Sequence, residues 1–171
     1  SRPNRFKLTL CGFCRGGNRK DHFRGGACER LRRSRYPFGQ TKQAQLETAL
    51  EGRTLVQLSD LHIGPRVDSS YIAKTFATVA AMQPDIVVVT GDWITYRGPA
   101  QLDELARLLE QFPRGRLASL GILGNHDYGF KWRMPEVADT VTMHAKAHGI
   151  QMLRNEAVVV EGLTVIGLED L

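Results

Sequence analysis

Three apolar runs in this chain end in side chains of the kind that hold metal ions. Leu55-Val56-Gln57-Leu58-Ser59-Asp60-Leu61-His62 ends in a carboxylate and an imidazole two residues apart. Ile86-Val87-Val88-Val89-Thr90-Gly91-Asp92 ends in a carboxylate, and Leu120-Gly121-Ile122-Leu123-Gly124-Asn125-His126-Asp127 ends in three polar side chains in a row. Carboxylates supply hard, charge-neutralising oxygens, and imidazole suits zinc, iron and similar ions. If the first run stays extended, its i, i+2 spacing puts Asp60 and His62 on the same side. Gly91 and Gly124 are expected to let the backbone come close to whatever is bound. Asn125 offers a metal only its amide oxygen, which fits a place in the shell of a second ion.

These side chains meet only if the runs are neighbouring strands pointing the same way. Each run is followed by helical spacing. Ser69 and Ser70 are expected to cap a helix to about Met82, with Ile72, Phe76, Val79 and Ala80 on one face. Pro84 stops that helix, and Asp85–Thr90 is the second strand. Pro99 suits the first turn of a helix whose buried stripe is Leu102, Leu105, Ala106, Leu109 and Phe112, closed by Pro113. Leu117–Leu123 is the third strand. Pro135 opens a third helix that ends at Gly149, and short strands follow at Gln151–Leu153, Ala157–Val160 and Leu163–Gly167. Glu161-Gly162 reads as a hairpin turn. The segment Thr41 to Leu50 fits either a short helix or an entry strand. Alternating strands and helices predict an α/β fold with a mostly parallel sheet, which collects ligands at the carboxyl ends of its strands. The aromatic stretch Tyr128-Gly129-Phe130-Lys131-Trp132 is expected to pack beside that edge, with a substrate-facing Trp132 as the alternative.

The 171 residues suit one domain, and 42% hydrophobic with 24% charged residues is the composition of a soluble globular protein. No apolar run is long enough to cross a membrane, and no secretory apolar region stands near the start. The net charge of +5 is unevenly spread: residues 1–40 hold nine Arg and two Lys against Asp21 and Glu29, a net +9, which leaves −4 for the remaining 131 residues. Residues 1–40 read as a basic, Gly- and Arg-rich head without regular structure, and 41–171 as the folded domain. The run Arg30-Leu31-Arg32-Arg33-Ser34-Arg35 suits nucleic acid or an anionic membrane. Cys11, Cys14, His22 and Cys28 match no compact zinc-finger spacing. His144 and His148, four apart near a helix end, are expected to be structural, favoured there by the helix dipole.

Asp60-x-His62, then Gly91-Asp92, then Gly124-Asn125-His126-Asp127, in order after three successive strands, resembles the calcineurin-like metallophosphoesterase family. The surrounding residues are most similar to a bacterial phosphodiesterase branch, often membrane-associated or exported. The likeness runs from about Leu50 to Leu171 and leaves residues 1–40 untouched. It implies the N-terminal half of an α/β/β/α sandwich, a phosphoester (expected to be phosphodiester) substrate, and two divalent ions per complete site (Mn, Fe or Zn). By that resemblance Asp60 and His62 hold the first metal, Asp92 bridges the pair, and Asn125 holds the second. His126 contacts the phosphate and protonates the leaving oxygen, with Asp127 orienting its ring. Two ions ~3.5–4 Å apart can clamp both oxygens of an in-line phosphoryl displacement and lower the pKa of the attacking water.

The family pattern continues with a His after a later strand and a Gly-His-x-His, and neither occurs in these residues. His22, His144 and His148 stand in the wrong places to substitute. The expectation is therefore a half-built site: one metal held weakly through Asp60, His62 and Asp92, with little hydrolysis by this chain alone. Two rival readings are a binding module, in which the basic head engages nucleic acid or membrane, and a non-catalytic fragment unable to complete its sheet.

Overall fold

The structure, a computed structural model, describes residues 8–12, 50–65 and 67–169. Five strands, β1 (Leu8–Gly12), β2 (Leu55–Ser59), β3 (Ile86–Thr90), β4 (Ala118–Ile122) and β5 (Gln151–Met152), form one sheet in that spatial order. Every neighbouring pair is parallel, as the α/β expectation required. Helices α1 (Ser69–Ala81), α2 (Ala100–Leu109) and α3 (Pro135–Ala147) connect β2 through β5. Each crossover moves to the adjacent strand, and such connections are right-handed, so all three helices fall on one face.

Alternation along the strands follows from this arrangement. Val56, Leu58, Val87 and Val89 point into the helical layer and pack with Ile72, Phe76, Val79, Leu105, Leu109, Val137, Val141 and Ala145. Phe76 meets Phe112 edge-on with ring centroids 5.5 Å apart. Ile86 and Leu120 point the other way, where a hairpin of β6 (Glu156–Val160) and β7 (Leu163–Gly167) covers them with Val158, Val160, Leu163 and Val165. The layers are therefore helices, parallel sheet and antiparallel hairpin. Glu161 (φ 46°) and Gly162 (φ 84°) supply the two left-handed residues that the tight turn of this hairpin needs.

Three local readings change. Asp68, not Ser69 or Ser70, caps α1, its carboxylate accepting from the Ser70 N–H at 2.7 Å. Leu108 joins Leu105, Leu109 and Phe112 in the buried stripe of α2, while Leu102 and Ala106 are half-buried. Leu8–Gly12, which sequence analysis placed in a head without regular structure, is edge strand β1, in register with Leu55–Ser59. The remaining residues of that head, including the arginine run, His22 and Cys28, lie outside the described residues, as do residues 41–49. His148 Nδ1 lies 2.8 Å from the His144 carbonyl, which can only accept, so the pair closes the C-terminus of α3 as expected.

At the end of the sheet opposite the strand tips, Asp85 is buried just before β3. Its carboxylate accepts from Thr54 N–H (2.9 Å), Arg53 Nη1 (3.1 Å) and Arg116 Nη2 (2.9 Å). Burial pushes its pKa up, but the Thr54 N–H and the two guanidinium groups outweigh it and hold the pKa below the ordinary 3.8. Asp85 thus ties the entries of β2 and β4 to β3. Asp85→Ala should lose about 1–3 kcal/mol, read as a shift of the urea midpoint at neutral pH. Because the folded-state pKa is depressed, that difference should be full above the unfolded value and shrink as pH falls through the folded one.

Candidate metal centre

The three motif loops leave the carboxyl ends of β2, β3 and β4 and remain zipped together after the strands end. Asp60 N–H donates to the Gly91 carbonyl (3.2 Å), His62 N–H to that of Asp92 (2.9 Å) and Ile63 N–H to that of Trp93 (2.9 Å). Asp60 (φ 56°), His62 (φ 45°) and Asp92 (φ 55°) are all left-handed. The first run therefore does not stay extended past Ser59. Asp60 and His62 reach the same place because two backbone kinks turn them there, not by strand alternation. Left-handed non-glycine residues of this kind gather at functional sites.

The two glycines also act differently from the expectation. A Cβ on Gly91 would lie 2.7 Å from Gly124 N and 2.8 Å from its Cα, and one on Gly124 would lie 2.6 Å from Asp92 N and closer still to Asp92 Oδ1. They approach each other, not a ligand. That contact brings the Asp92 side chain onto the next turn, where Oδ1 accepts from the His126 N–H at 3.1 Å.

His62, Asp92 and His126 form the compact cluster, with one ligand atom from each lying within 4.8 Å of the others. His62 Nε2 is 3.8 Å from Asp92 Oδ2 and 3.6 Å from Asp60 Oδ1. The His62 and His126 rings meet edge-on at 4.8 Å between centroids. Asp60 stands at the rim, its side chain 48% exposed and its carboxylate accepting from Ser59 Oγ. Nitrogen and oxygen donors about 2.0–2.2 Å from one cation lie within a few ångströms of each other, so this donor set fits a divalent ion after small adjustments. The structure thus draws His126 into the cluster, where the resemblance gave it a role toward phosphate. Asn125 is half-buried and opens the 3-10 turn Asn125–Tyr128, next to the Gly124–Asp92 contact.

His62 Nδ1 lies 3.1 Å from Thr95 Oγ1, a buried hydroxyl. Engaging Nδ1 there leaves Nε2 facing Asp60 and Asp92 and holds the ring plane. Thr95 carries no sequence signal: its type is common, and only its position after β3 gives it a role.

Asp127 is fully buried, and its carboxylate accepts from Gly124 N–H (2.9 Å) and Ile94 N–H (3.1 Å). Neither oxygen is hydrogen-bonded to the His126 ring, so in this structure Asp127 braces the turn instead of orienting that ring. Burial pushes its pKa up to about 7, against the pull of the Gly124, Ile94 and Trp93 N–H groups and with the help of the nearby Asp92 charge. Next to it, the Tyr128 hydroxyl donates to Glu169 Oε1. Arg154 holds the same carboxylate (Nη2, 2.6 Å) and Asp139 Oδ1 (Nη1, 2.7 Å). Burial first, and the Glu169 carboxylate second, raise the Tyr128 pKa to about 12, so the phenol stays a donor. Glu169 and Arg154 carried no sequence signal, because they lie far along the chain from the turn they fasten. The aromatic stretch divides: Tyr128 packs against the core, whereas Phe130 (64% exposed) and Trp132 (60%) project outward.

With this geometry established, comparison with known proteins is decisive. Residues 53–165 match the family described as calcineurin-like phosphoesterase. The chain belongs to that family. Its members are metal-dependent phosphoester hydrolases, and their use of divalent ions agrees with the donor cluster found here. Relatives are both vertebrate and bacterial. A "Transmembrane protein with metallophosphoesterase domain" from Danio rerio is 39% identical over 84 residues, covering 49% of this chain and 19% of that protein. "UDP-2,3-diacylglucosamine pyrophosphatase LpxG" from Chlamydia trachomatis is 32% identical over 79 residues, 46% of this chain and 24% of that one. An uncharacterized metallophosphoesterase from Aquifex aeolicus is 31% identical over 119 residues, 68% of this chain and 42% of that one. The chain thus spans less than half the length of each of these relatives. Among the described residues, no helix is long and apolar enough to cross a membrane.

Thr95→Val keeps the shape and removes the hydroxyl beside His62 Nδ1. Affinity for Mn²⁺, measured by calorimetry, should fall about 10–100-fold while the thermal midpoint changes little.

Proposed function

We propose that the centre belongs to a phosphodiester-hydrolysing site that, when complete, works with two divalent cations. Asp60 and His62 hold the first, Asp92 is shared between the two, and Asn125 serves the second. What carries this reading is the convergence of His62 Nε2 and Asp92 Oδ2, 3.8 Å apart, with His126 beside them and Asp60 at the rim. When bound, such cations supply Lewis acidity toward phosphoryl oxygens and a water acidic enough to ionise near neutral pH. The chain's own residues do the rest. Asp92 keeps Oδ1 on the His126 N–H and presents Oδ2 to the centre. His126 contacts the phosphoryl group and gives its proton to the leaving oxygen, the general-acid role that imidazole fills most often. Asp127 keeps the His126 turn docked on the β3 loop.

The described residues give a second cation only Asp92 and Asn125, fewer than the three or four protein ligands a firmly held ion needs. We accordingly propose that this 171-residue chain binds one cation, weakly, and turns over slowly by itself. The compactness of His62, Asp92 and His126 supports a second reading, in which His126 is a ligand of that single ion. The relative named as a pyrophosphatase makes a P–O–P linkage the natural rival substrate. For residues 1–40, the net charge of +9 supports an electrostatic contact with nucleic acid or anionic membrane, readable as salt-dependent retention.

The test uses Mn²⁺ titration together with turnover of bis-p-nitrophenyl phosphate and a UDP-sugar pyrophosphate. One Mn²⁺ per chain and slow diester turnover are expected, with both abolished by Asp92→Asn. His126→Ala should reduce turnover at least about 100-fold and leave Mn²⁺ affinity unchanged if His126 is the proton donor. A matching loss of affinity assigns it as a ligand instead. Rapid turnover at two ions per chain, or turnover without added metal, overturns the proposal.

A further inference from the structure

We propose that Phe130-Lys131-Trp132-Arg133 forms a knob that seats on an anionic lipid bilayer beside the metal edge. All four residues are exposed, Phe130 by 64% and Trp132 by 60%, which is unusual for rings this large. Lys131 (φ 53°) and Trp132 (φ 59°) are consecutive left-handed residues, a conformation that bulky side chains rarely adopt. The loop base enforces it: Met134 N–H closes on the Tyr128 carbonyl at 2.8 Å, and Trp132 N–H on that of Gly129 at 3.2 Å. Met134 also packs under Gly129, where an added Cβ would meet its side chain at 3.0 Å. A strained loop held rigid to point two aromatic rings into solvent gains nothing within the chain, so its return comes from outside.

Its chemistry selects the partner. Phe130 and Trp132 alternate with Lys131 and Arg133, and the Lys131 ammonium lies 5.5 Å from the centre of the Phe130 ring. None of the four is acidic, and the flanking carboxylates along the chain are Asp127, buried in the preceding turn, and Glu136, in the first turn of α3. Aromatic rings with flanking cations match the boundary between acyl chains and anionic headgroups, where the rings sink in and the cations stay at the phosphates. The knob begins one residue after the turn that carries His126. The inference does not depend on the proposed hydrolysis, because it is read without turnover.

The test is fluorescence of the full chain with vesicles whose phosphatidylcholine is brominated in the acyl chains, with and without phosphatidylglycerol. Only two tryptophans are present, and Trp93 is fully buried in the core. Trp132 should be quenched on phosphatidylglycerol-containing vesicles, and Trp132→Phe, which leaves Trp93 alone, should show no quenching. Lys131→Ala with Arg133→Ala should weaken partition about tenfold or more. Three results overturn the proposal: no sedimentation with either vesicle, sedimentation without quenching (contact by residues 1–40 alone), and a lipid-free blue shift that grows with protein concentration, which assigns the knob to a second copy.

Discussion

Where the loops after β3 and β4 cross, Gly91 and Gly124 lie so close that neither has room for a methyl group. The metal edge depends on this contact. It lets Asp92 divide its carboxylate, with Oδ1 fixed by the His126 N–H and Oδ2 turned toward His62. Any side chain at either glycine would part the β3 loop from the next turn, and one oxygen could no longer organise the backbone while the other faces a cation. The glycines matter because backbone packs on backbone; the ligand enters only through the carboxylate they position.

The loops carry strain to achieve this. Asp60, His62 and Asp92 are each left-handed, at a cost of roughly 1–3 kcal/mol apiece. The hydrogen bonds that continue the β2–β3 ladder beyond the strands offset it, as does burial of Leu61, Ile63, Trp93 and Ile94 around the kinks. Trp93 fills the space above Gly121, and its indole N–H reaches the Ile122 carbonyl at 2.8 Å. Polar side chains thus turn outward to the edge while their apolar neighbours in sequence turn inward. Lys131 and Trp132 carry the same strain without comparable burial, which sets that loop apart from the site beside it.

The central strands β2, β3 and β4 and the helices were legible because both faces of that part of the sheet are covered, so these strands read as apolar runs and each helix shows a stripe. Asp60, His62, Asp92 and His126 were legible because they stand at the ends of those runs. How they converge was not. Spacing suggested an extended Asp60–His62 pair, and left-handed kinks at polar residues leave no periodic trace. Thr95, Arg154 and Glu169 were invisible for a related reason: each acts through a partner more than ten residues away. Leu8–Gly12 was hidden by its basic surroundings, since an edge strand needs only five residues with free backbone groups to pair.

His126 stands between two anchors of different kinds. On one side Asp92 and Asp127 tie its turn to the β3 loop; on the other Tyr128 ties it to Glu169, just past β7, and through Arg154 to α3. All three layers therefore converge on four consecutive residues. Because the His126 backbone is pinned from both directions and its ring meets that of His62 edge-on, the ring is the part left to respond when charge arrives at the centre. A rigid backbone with one responsive imidazole suits either duty considered for it, ligand or proton donor. The choice between those duties depends on what occupies the space between His62 and Asp92, not on any rearrangement of the fold.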